Sequence, residues 1–288
     1  MSDAEGSPAR GADDTEDFAL MGVLNVTPDS FSDGGRFLDP GRAIAHGQRL
    51  AEEGAAILDI GGESTRPGAA SVTAEEELAR VLPVIEGLMT AGPPARISID
   101  TSKARVARVA LQAGATLVND VTALRDPDMA GTVAEAGAEL CLMHMLGDPR
   151  TMQAEPRYDD VVREVGSFLA DRLGYAIAHG IPQERIMLDP GIGFGKTVGH
   201  NLELLARLDE LTELGRPVVI GTSRKSFLGR LTGRPVDDRV AATIATCVMA
   251  YERGASVFRV HDVAPVADAL RVTAATVRRP WRTTSSTR

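Results

Sequence analysis

Glu53-Gly54-Ala55-Ala56-Ile57-Leu58-Asp59 is the stretch that decides the fold, because it joins the end of one element to the start of the next. The helical pattern before it ends at a glycine, the residue that most easily adopts the left-handed conformation of a helix C-cap. The apolar run after it has the length of a strand buried on both faces. The same pattern returns at Gly114, Gly137 and Gly254. This repetition predicts helices that alternate with buried strands.

Counting every run of this kind gives eight predicted strands. They lie near residues 19–25, 57–61, 97–100, 116–119, 139–144, 186–189, 217–222 and 256–261. A helical pattern follows each one, and the first such helix has Asp39 at its N-cap position and Pro40 in its first turn. Strict alternation over about 260 residues predicts a parallel sheet with helices outside it, and eight units fit a closed (β/α)8 TIM barrel. An open doubly wound sheet is the alternative, although it usually has fewer strands.

The predicted barrel occupies residues 18–277 and is the single folded domain of the chain. We expect residues 1–17, which are rich in acids, and residues 278–288, which are rich in arginine, to be disordered tails. A content of 43% hydrophobic residues suffices for one sizeable core. No apolar run approaches the roughly 20 residues that cross a bilayer, and the acidic N-terminus does not resemble a secretory signal. We therefore expect no association with a membrane.

Charge and cysteine usage narrow the class of protein further. The formal net charge is -9, which disfavours nucleic acid as a partner because binding phosphates requires a basic surface. Cys141 and Cys247 both lie inside apolar runs, so we interpret them as reduced thiols of the core. Reduced thiols fit a cytoplasmic location.

Polar side chains stand at or just after the ends of the predicted strands, where barrels of this type place their active sites. Any one of them is expected where a strand leaves the core, but carboxylates, amides and cations converging from eight strands indicate a ligand site. The set is Asn25, Thr65, Arg66, Asp100, Asn119, His144, Asp189, Ser223, Lys225, Arg259 and His261.

The residue types in this set point to the kind of ligand. Asp100, Asn119 and Asp189 supply acceptors and an amide, which suits a flat heterocycle with several N–H groups. Asn25 could supply an oxygen to Mg²⁺, which takes few protein ligands. The remaining charged groups suit an anion such as phosphate. These cations are Arg66, Lys225, Arg259 and His261.

Other motifs along the chain are incomplete. Residues 191–197 read G-x-x-x-G-K-T, which is one residue short of the phosphate-binding loop of nucleotide-hydrolysing enzymes, and Pro190 stands where the first glycine would be needed. The sequence contains no HExxH motif and no cluster of cysteine and histidine, which argues against a zinc site. His144 is interpreted first as a core histidine and second as a catalytic one.

Two loops resemble the signature loops of the dihydropteroate synthase family. They are Asn25-Val-Thr-Pro-Asp-Ser-Phe-Ser-Asp-Gly-Gly35 and Asp59-Ile-Gly-Gly-Glu-Ser-Thr-Arg-Pro-Gly68. Shorter stretches match the same family in the same order: Ser98-Ile-Asp-Thr101, Asn119-Asp120, Met143-His-Met145, Asp189-Pro-Gly-Ile-Gly-Phe-Gly-Lys196, Ser223-Arg-Lys225 and Arg259-Val-His261. The resemblance covers roughly residues 18–277, and the motifs are highly specific when taken together.

The resemblance implies a TIM barrel that joins 6-hydroxymethyl-7,8-dihydropterin diphosphate to p-aminobenzoate, giving 7,8-dihydropteroate and diphosphate in folate biosynthesis. It also implies Mg²⁺ as cofactor and a homodimer. Loops 26–39 and 62–73 are long and rich in Gly, Ser and Pro, so we interpret them as mobile lids that close over the substrates. The residues implied to hold the pterin are Asp100, Asn119, Asp189 and Lys225, with Met143 and Phe194 lining the pocket. Those implied to hold the diphosphate are Thr65, Arg259 and His261, with Asn25 on Mg²⁺. Those implied to shape the p-aminobenzoate site are Phe31, Arg66, Pro67 and Ser223. Those implied to act in catalysis are Asp100, Lys225, Arg259 and His261.

Two alternative functions share this barrel. A methyltransferase that uses methyltetrahydrofolate binds its pterin in a similar cup but needs neither Mg²⁺ nor cations for diphosphate, so Asn25, Lys225 and Arg259 argue against it. A paralogue that binds pterin without turnover should have lost part of a signature loop, and both loops are complete here.

Overall fold

A computed structural model of the chain describes residues 17–27, 39–65, 68–93, 95–148 and 151–277. Three residues predicted to line the p-aminobenzoate site, Phe31, Arg66 and Pro67, lie outside these ranges. The predicted tails also lie outside them, apart from Asp17.

Eight parallel strands form the centre of the molecule, as the sequence predicts. They are β1 (Ala19–Asn25), β2 (Ile57–Gly61), β3 (Arg96–Asp100), β4 (Leu117–Asp120), β5 (Glu139–Met143), β6 (Ile186–Asp189), β7 (Val219–Ile220) and β8 (Val257–Val260). Most bounds fall within one or two residues of the prediction. Strand β7 is much shorter than the predicted 217–222.

The order of the strands shows how the barrel closes. Neighbours run β6-β5-β4-β3-β2-β1-β8-β7, and every pairing is parallel. The two ends of this series meet at a bridge between Leu188 and Val218, where the Leu188 amide also donates 2.9 Å to the carbonyl of Pro217. The short β7 therefore still connects β6 to β8, and the prediction of a (β/α)8 barrel is confirmed.

Helices surround the barrel and follow the strands in sequence. Within the described ranges they are α1 (Pro40–Glu52), α2 (Ala74–Thr90), α3 (Ala104–Gln112), α4 (Met129–Ala136), α5 (Val161–Ala178), α6 (Val198–Ala206), α7 (Leu208–Thr212), α8 (Ser226–Thr232), α9 (Val240–Glu252) and α10 (Val263–Val277). Asp39 caps α1 as predicted, by accepting from the amides of Gly41 and Arg42. Gly137 caps α4 with φ 60°, the left-handed geometry that the repeated glycine predicts. None of these helices combines the length and apolar character needed to span a bilayer.

The molecule has two separate apolar cores besides a smaller cluster near the rim. The larger core lies between the strands and the helices and contains, for example, Leu58, Ile99 and Phe258. The second core fills the lower part of the barrel lumen. Its members are Met21, Ile57, Leu117, Cys141, Met187, Val219 and Val257. Because this second core closes the lumen from below, polar side chains higher in the lumen are accessible only from the C-terminal ends of the strands.

Candidate active site

A layer of polar side chains lies in the lumen directly above its apolar core. Strand register creates this layer, because side chains two residues apart on a strand face the same side. Asp59 is level with Ser98 on the neighbouring strand, and Asp100 is level with Asn119. We call this layer the upper lumen layer. Its members are Asp59, Ser98, Asp100, Asn119, Asp189 and Arg259.

Asp59 is the centre of the hydrogen bonds in this layer, although it is fully buried. One of its oxygens accepts from Ser98 Oγ at 2.6 Å. The other accepts from Asn119 Nδ2 at 3.0 Å and from Arg259 Nε at 2.6 Å. Three donors therefore compensate its lost hydration.

Arg259 joins two carboxylates of the upper lumen layer. Its Nη2 donates to Asp100 Oδ2 at 2.7 Å, while its Nε donates to Asp59. Burial opposes the charge of Arg259, but the two carboxylates together raise its pKa. Its Nη1 makes no hydrogen bond to the described residues, so one face of the guanidinium is available to a ligand.

The ionisation of the Asp100 carboxyl is opposed by its burial and favoured by its ion pair with Arg259. Burial raises the pKa of its carboxyl to about 7, although the ion pair with Arg259 opposes the shift. Nearby Asp59 adds to the rise because two like charges at close range disfavour ionisation of both.

Asp189 is oriented by the glycine-rich turn that follows strand β6. One of its oxygens accepts from the amide of Gly191 at 2.7 Å, and the other has no hydrogen-bond partner among the described residues. Gly191 has φ 67°, and a Cβ there would lie 1.8 Å from the carbonyl oxygen of His144. Only glycine fits this turn. Burial raises the pKa of Asp189 while Lys225 opposes the rise.

Lys225 and Phe194 form a stacked pair beside Asp189. Lys225 Nζ lies 4.5 Å from the centre of the Phe194 ring and donates to the carbonyl of Ile192. Burial lowers the pKa of Lys225 to about 8, against the influence of Asp189. Phe194 also packs on a small apolar cluster, which gives the site one flat apolar wall. The cluster consists of Val121, Met143, Met145 and Met152.

Ser223, just after strand β7, and His261, just after strand β8, lie together. Ser223 Oγ is 3.0 Å from His261 Nδ1 and accepts from the His261 amide at 3.1 Å. Arg224, between Ser223 and Lys225, has φ 59° and pairs with Asp262 through two nitrogens. The left-handed backbone of Arg224 costs on the order of 1–3 kcal/mol. The ion pair with Asp262 holds Arg224 in this conformation, so that Ser223 and Lys225 face the site.

Asn25 and Thr65 lie at the ends of the first two strands. The Asn25 side chain has no hydrogen-bond partner among the described residues, and an added Cβ on Gly61 would lie 3.7 Å from its Oδ1. Thr65 borders a cavity of about 500 Å³ that also reaches Asp100. The described residues contain no cluster of three or more histidine, cysteine or acidic side chains able to hold a metal. A free amide oxygen near the carboxylate of Asp100 nevertheless fits Mg²⁺, which retains most of its waters.

His144 is a buried residue of the protein interior, as its first interpretation holds. Its Nδ1 lies 2.9 Å from Lys196 Nζ, and its ring packs edge-on against Phe168. Burial, reinforced by Lys196, lowers the pKa of His144 to about 3. The imidazole is therefore neutral at physiological pH.

Asp59 was not predicted as a site residue, and the ion pair between Arg224 and Asp262 was not predicted at all. The alternation of side chains along strand β2 could have identified Asp59 as a residue of the lumen. It lies two residues above Ile57, on the same face of a strand that is otherwise apolar. Nothing in the sequence indicated the ion pair, since its partners are 38 residues apart and meet only through the closure of the barrel.

The fold and the upper lumen layer together define a TIM-barrel protein whose strand ends bind a polar, flat ligand. A family model described as "Pterin binding enzyme" matches residues 21–261. Dihydropteroate synthase of Haemophilus influenzae is 46% identical over 89% of this chain and 93% of its own length. The corresponding protein of Mycobacterium leprae is 48% identical over 89% and 92%.

Solved structures agree with these relatives. A Xanthomonas albilineans dihydropteroate synthase with 4-aminobenzoic acid is 52% identical, has a TM-score of 0.84, and matches over 90% of this chain and 92% of its own. The same enzyme with 7,8-dihydropteroate has a TM-score of 0.81 at 49% identity, over 90% and 93%. This chain belongs to the dihydropteroate synthase family, as its motifs predict.

Proposed function

We propose that the chain joins 6-hydroxymethyl-7,8-dihydropterin diphosphate to p-aminobenzoate and releases 7,8-dihydropteroate and diphosphate. The observation that carries the proposal is the upper lumen layer, in which buried carboxylates and an amide lie beside an apolar wall and the cations Lys225 and Arg259. A dihydropterin has the matching features, namely a flat ring, adjacent N–H groups and an attached diphosphate. Family membership supports the same reaction.

The pterin ring is proposed to lie between Asp189, Asn119 and the apolar wall. The free oxygen of Asp189 accepts from the ring and its amino group, while Asn119 supplies a further acceptor. Phe194 and Met143 contact the ring faces. Lys225, held over Phe194, donates to a ring oxygen or nitrogen. These buried groups strongly favour a heterocycle that satisfies their hydrogen bonds, because an unpaired buried polar group is costly.

The diphosphate is proposed to lie above Arg259, at the open end of the site. The free Nη1 of Arg259, the ring of His261 and the hydroxyl of Thr65 are its donors, and Asn25 would hold Mg²⁺ beside it. When bound, Mg²⁺ supplies positive charge to a departing diphosphate. The cations of the chain act in the same direction, because they stabilise the charge that grows on the leaving group.

The chemical step needs a strongly electrophilic carbon, because the amine of p-aminobenzoate is a weak nucleophile. The C–O bond to diphosphate breaks with its electron pair on oxygen, and the amine nitrogen forms the new C–N bond and loses a proton. Asp100, beneath the ring, stabilises the positive charge that the pterin carries in between. Holding the amine against the carbon supplies much of the remaining rate enhancement.

Four residues are proposed to shape the p-aminobenzoate site, of which Ser223 is among the described ones and contacts His261. The others, Phe31, Arg66 and Pro67, are proposed on the resemblance of the signature loops. A homodimer and a barrel domain spanning 18–277 remain proposals on the resemblance to the family. A cytoplasmic location remains a proposal on the two cysteines of the core.

The proposal is tested by measuring diphosphate release from 6-hydroxymethyl-7,8-dihydropterin diphosphate with Mg²⁺, with and without p-aminobenzoate. We expect release that depends on p-aminobenzoate and yields 7,8-dihydropteroate. Binding of the pterin without release would identify a non-catalytic paralogue instead. Absence of both pterin binding and release would refute the proposed function.

A further inference from the structure

Lys196, the lysine of the incomplete phosphate-binding motif, is directed into the protein. It is only 3% exposed, so its amine is not available to a phosphate. Among the described residues it forms hydrogen bonds but no ion pair, and burial, reinforced by Lys225, lowers its pKa to about 7. A buried cation without a counter-charge is costly. Its hydrogen bonds indicate what the residue does at this cost.

Lys196 joins the turn after strand β6 to the end of strand β5. Its Nζ donates to the carbonyl of Phe194 at 3.0 Å and lies 2.9 Å from His144 Nδ1. The imidazole of His144 is neutral at physiological pH, so its Nδ1 can accept from the lysine. Even a neutral amine keeps two protons, which suffice for both acceptors. One side chain therefore links Phe194 to the residue that follows Met143.

This link connects the two residues proposed to contact the faces of the pterin ring. Met143 ends strand β5 and is fixed by its pairing with β6. Phe194 lies instead in a turn outside the strands, between glycines with positive φ. Because glycine has the most backbone freedom to lose, the position of Phe194 depends on the side chains that hold this turn.

Three side chains fix the glycines on either side of Phe194. Asn201 Oδ1 accepts from the Gly193 amide at 2.7 Å, Gln153 Nε2 donates to the Gly193 carbonyl at 2.6 Å, and the Tyr158 hydroxyl donates to the Gly195 carbonyl at 2.9 Å. At Phe194 itself, the side chain that holds the carbonyl is Lys196. Lys196 therefore acts on the residue that carries the aromatic wall of the site.

We propose that Lys196 is a positioning residue for pterin recognition. By holding the Phe194 carbonyl beside His144, it sets where the Phe194 ring lies relative to Met143 and to Lys225, whose Nζ is 4.5 Å from the ring centre. Lys196 touches no substrate itself. This inference rests on the proposed function, because that function assigns the Phe194 ring to the pterin.

Lys196→Met is the variant that tests the link, because it keeps an unbranched apolar stem and removes both hydrogen bonds. It also removes a buried charge, so the protein should fold. A matched control lies at the opposite end of strand β6, where Arg216 Nε donates to the carbonyl of Ile186 at 3.1 Å. Arg216→Met likewise takes a cationic donor from a backbone carbonyl, but away from the site.

The experiment compares wild type, Lys196→Met and Arg216→Met by calorimetry with 6-hydroxymethylpterin and by kinetics with 6-hydroxymethyl-7,8-dihydropterin diphosphate. Loss of the hydrogen bond at Phe194 should weaken pterin affinity about ten-fold and raise KM for the pterin substrate by the same factor. The kcat should stay within about three-fold, because the groups that act on the leaving diphosphate stand on other strands. Arg216→Met should match wild type in affinity and KM.

A purely structural role of Lys196 would give the opposite kinetic pattern. A smaller folded fraction lowers the apparent kcat but leaves KM and the dissociation constant of the folded molecules unchanged. Unchanged pterin affinity in Lys196→Met, or an equal loss of affinity in Arg216→Met, would overturn the inference.

A second variant, Lys196→Met with His144→Phe, removes the amine and its buried acceptor together, so that neither is left unpaired. Phenylalanine suits this position, because the His144 ring already packs edge-on against Phe168. The double variant should lose the same pterin affinity, since the Phe194 carbonyl lacks its donor in both, and wild-type affinity here would also overturn the inference. Wild type that binds no pterin would instead refute the proposed function, so the two failures are distinguishable.

Discussion

The apolar core of the barrel lumen, here called the lower layer, and the upper lumen layer are separated by only two residues along four of the strands, yet they differ in character. On four strands the side chain of the lower layer is apolar, and the next one above it on the same face is charged or polar. The pairs are Ile57 and Asp59, Leu117 and Asn119, Met187 and Asp189, and Val257 and Arg259. The members of the lower layer and the three acidic and amide side chains above them are buried to a similar extent.

The difference separates stability from function. Burying the lower side chains stabilises the barrel by removing apolar surface from water. Burying the upper ones carries a desolvation cost that their mutual hydrogen bonds only partly offset. Burial accordingly raises the pKa values of Asp100 and Asp189 and lowers that of Lys225. A ligand that completes these hydrogen bonds accounts for their presence.

The largest effect is expected from Arg259→Met. It leaves Asp59 and Asp100 without their cation, which should cost about 3–5 kcal/mol of stability. Loss of a donor to the leaving group should also lower kcat/KM by about 10²–10³-fold. Urea unfolding and diphosphate release measure the two losses.

The control variant is Val257→Ala, two residues below Arg259 on the same strand. It should cost about 2 kcal/mol of stability and leave kcat/KM unchanged. Similar kinetics for the two variants would contradict the division into layers.

Asp189→Asn should weaken pterin binding by on the order of 1–3 kcal/mol, because the amide replaces one acceptor with a donor and creates a buried mismatch. Calorimetry with 6-hydroxymethylpterin measures this loss. Met187→Leu, below it on strand β6, conserves volume and should bind the pterin like wild type. Unchanged affinity in Asp189→Asn would remove Asp189 from the pterin site.

The next prediction concerns the buried His144 and the pH dependence of the stability of the fold. Burial lowers its pKa from 6.5 to about 3, so the unfolded chain binds a proton more readily than the folded one. The stability from neutral His144 is present above pH 6.5 and is lost as pH falls towards 3. By pH 5 the loss should be about 2 kcal/mol. Urea unfolding of wild type and His144→Gln at pH 7 and pH 5 isolates this contribution. An equal loss in both proteins would show that His144 is not its source.

The smallest effect is expected at the opposite end of the barrel. Arg96 and Glu139 form an ion pair at the start of strands β3 and β5, and both side chains are a third or more exposed. Arg96→Gln should change stability by only about 0.2–1 kcal/mol and leave diphosphate release unaffected. A loss of activity here would mean that the functional layer extends beyond the C-terminal rim.

The barrel could be predicted from the sequence because the features that indicate it are local. Each strand is a short apolar run, and glycines such as Gly54 and Gly137 mark where the preceding helices end. The predicted strand at 217–222 was too long, because its apolar run of Val218, Val219 and Ile220 was extended to its neighbours, while regular pairing with β8 covers only Val219 and Ile220.

The candidate site was predictable in its members but not in its internal contacts. Asp100, Asn119 and Asp189 follow from strand ends and from the resemblance to the family. That Arg259 reaches across the lumen to Asp59, 200 residues away in sequence, depends on barrel closure and on side-chain length. The hydrogen bonds that Lys103 donates to Glu63 and Glu77 depend likewise on how two loops and a helix meet in space.

The most direct test of the account is a crystal structure of the chain with 7,8-dihydropteroate bound. The account predicts the pterin ring in the upper lumen layer, with its N–H groups on Asp189, its face on Phe194, and its linking carbon towards the cavity bordered by Thr65. A pterin ring bound outside the lumen, or one that makes no contact with Asp100, Asn119 or Asp189, would contradict it.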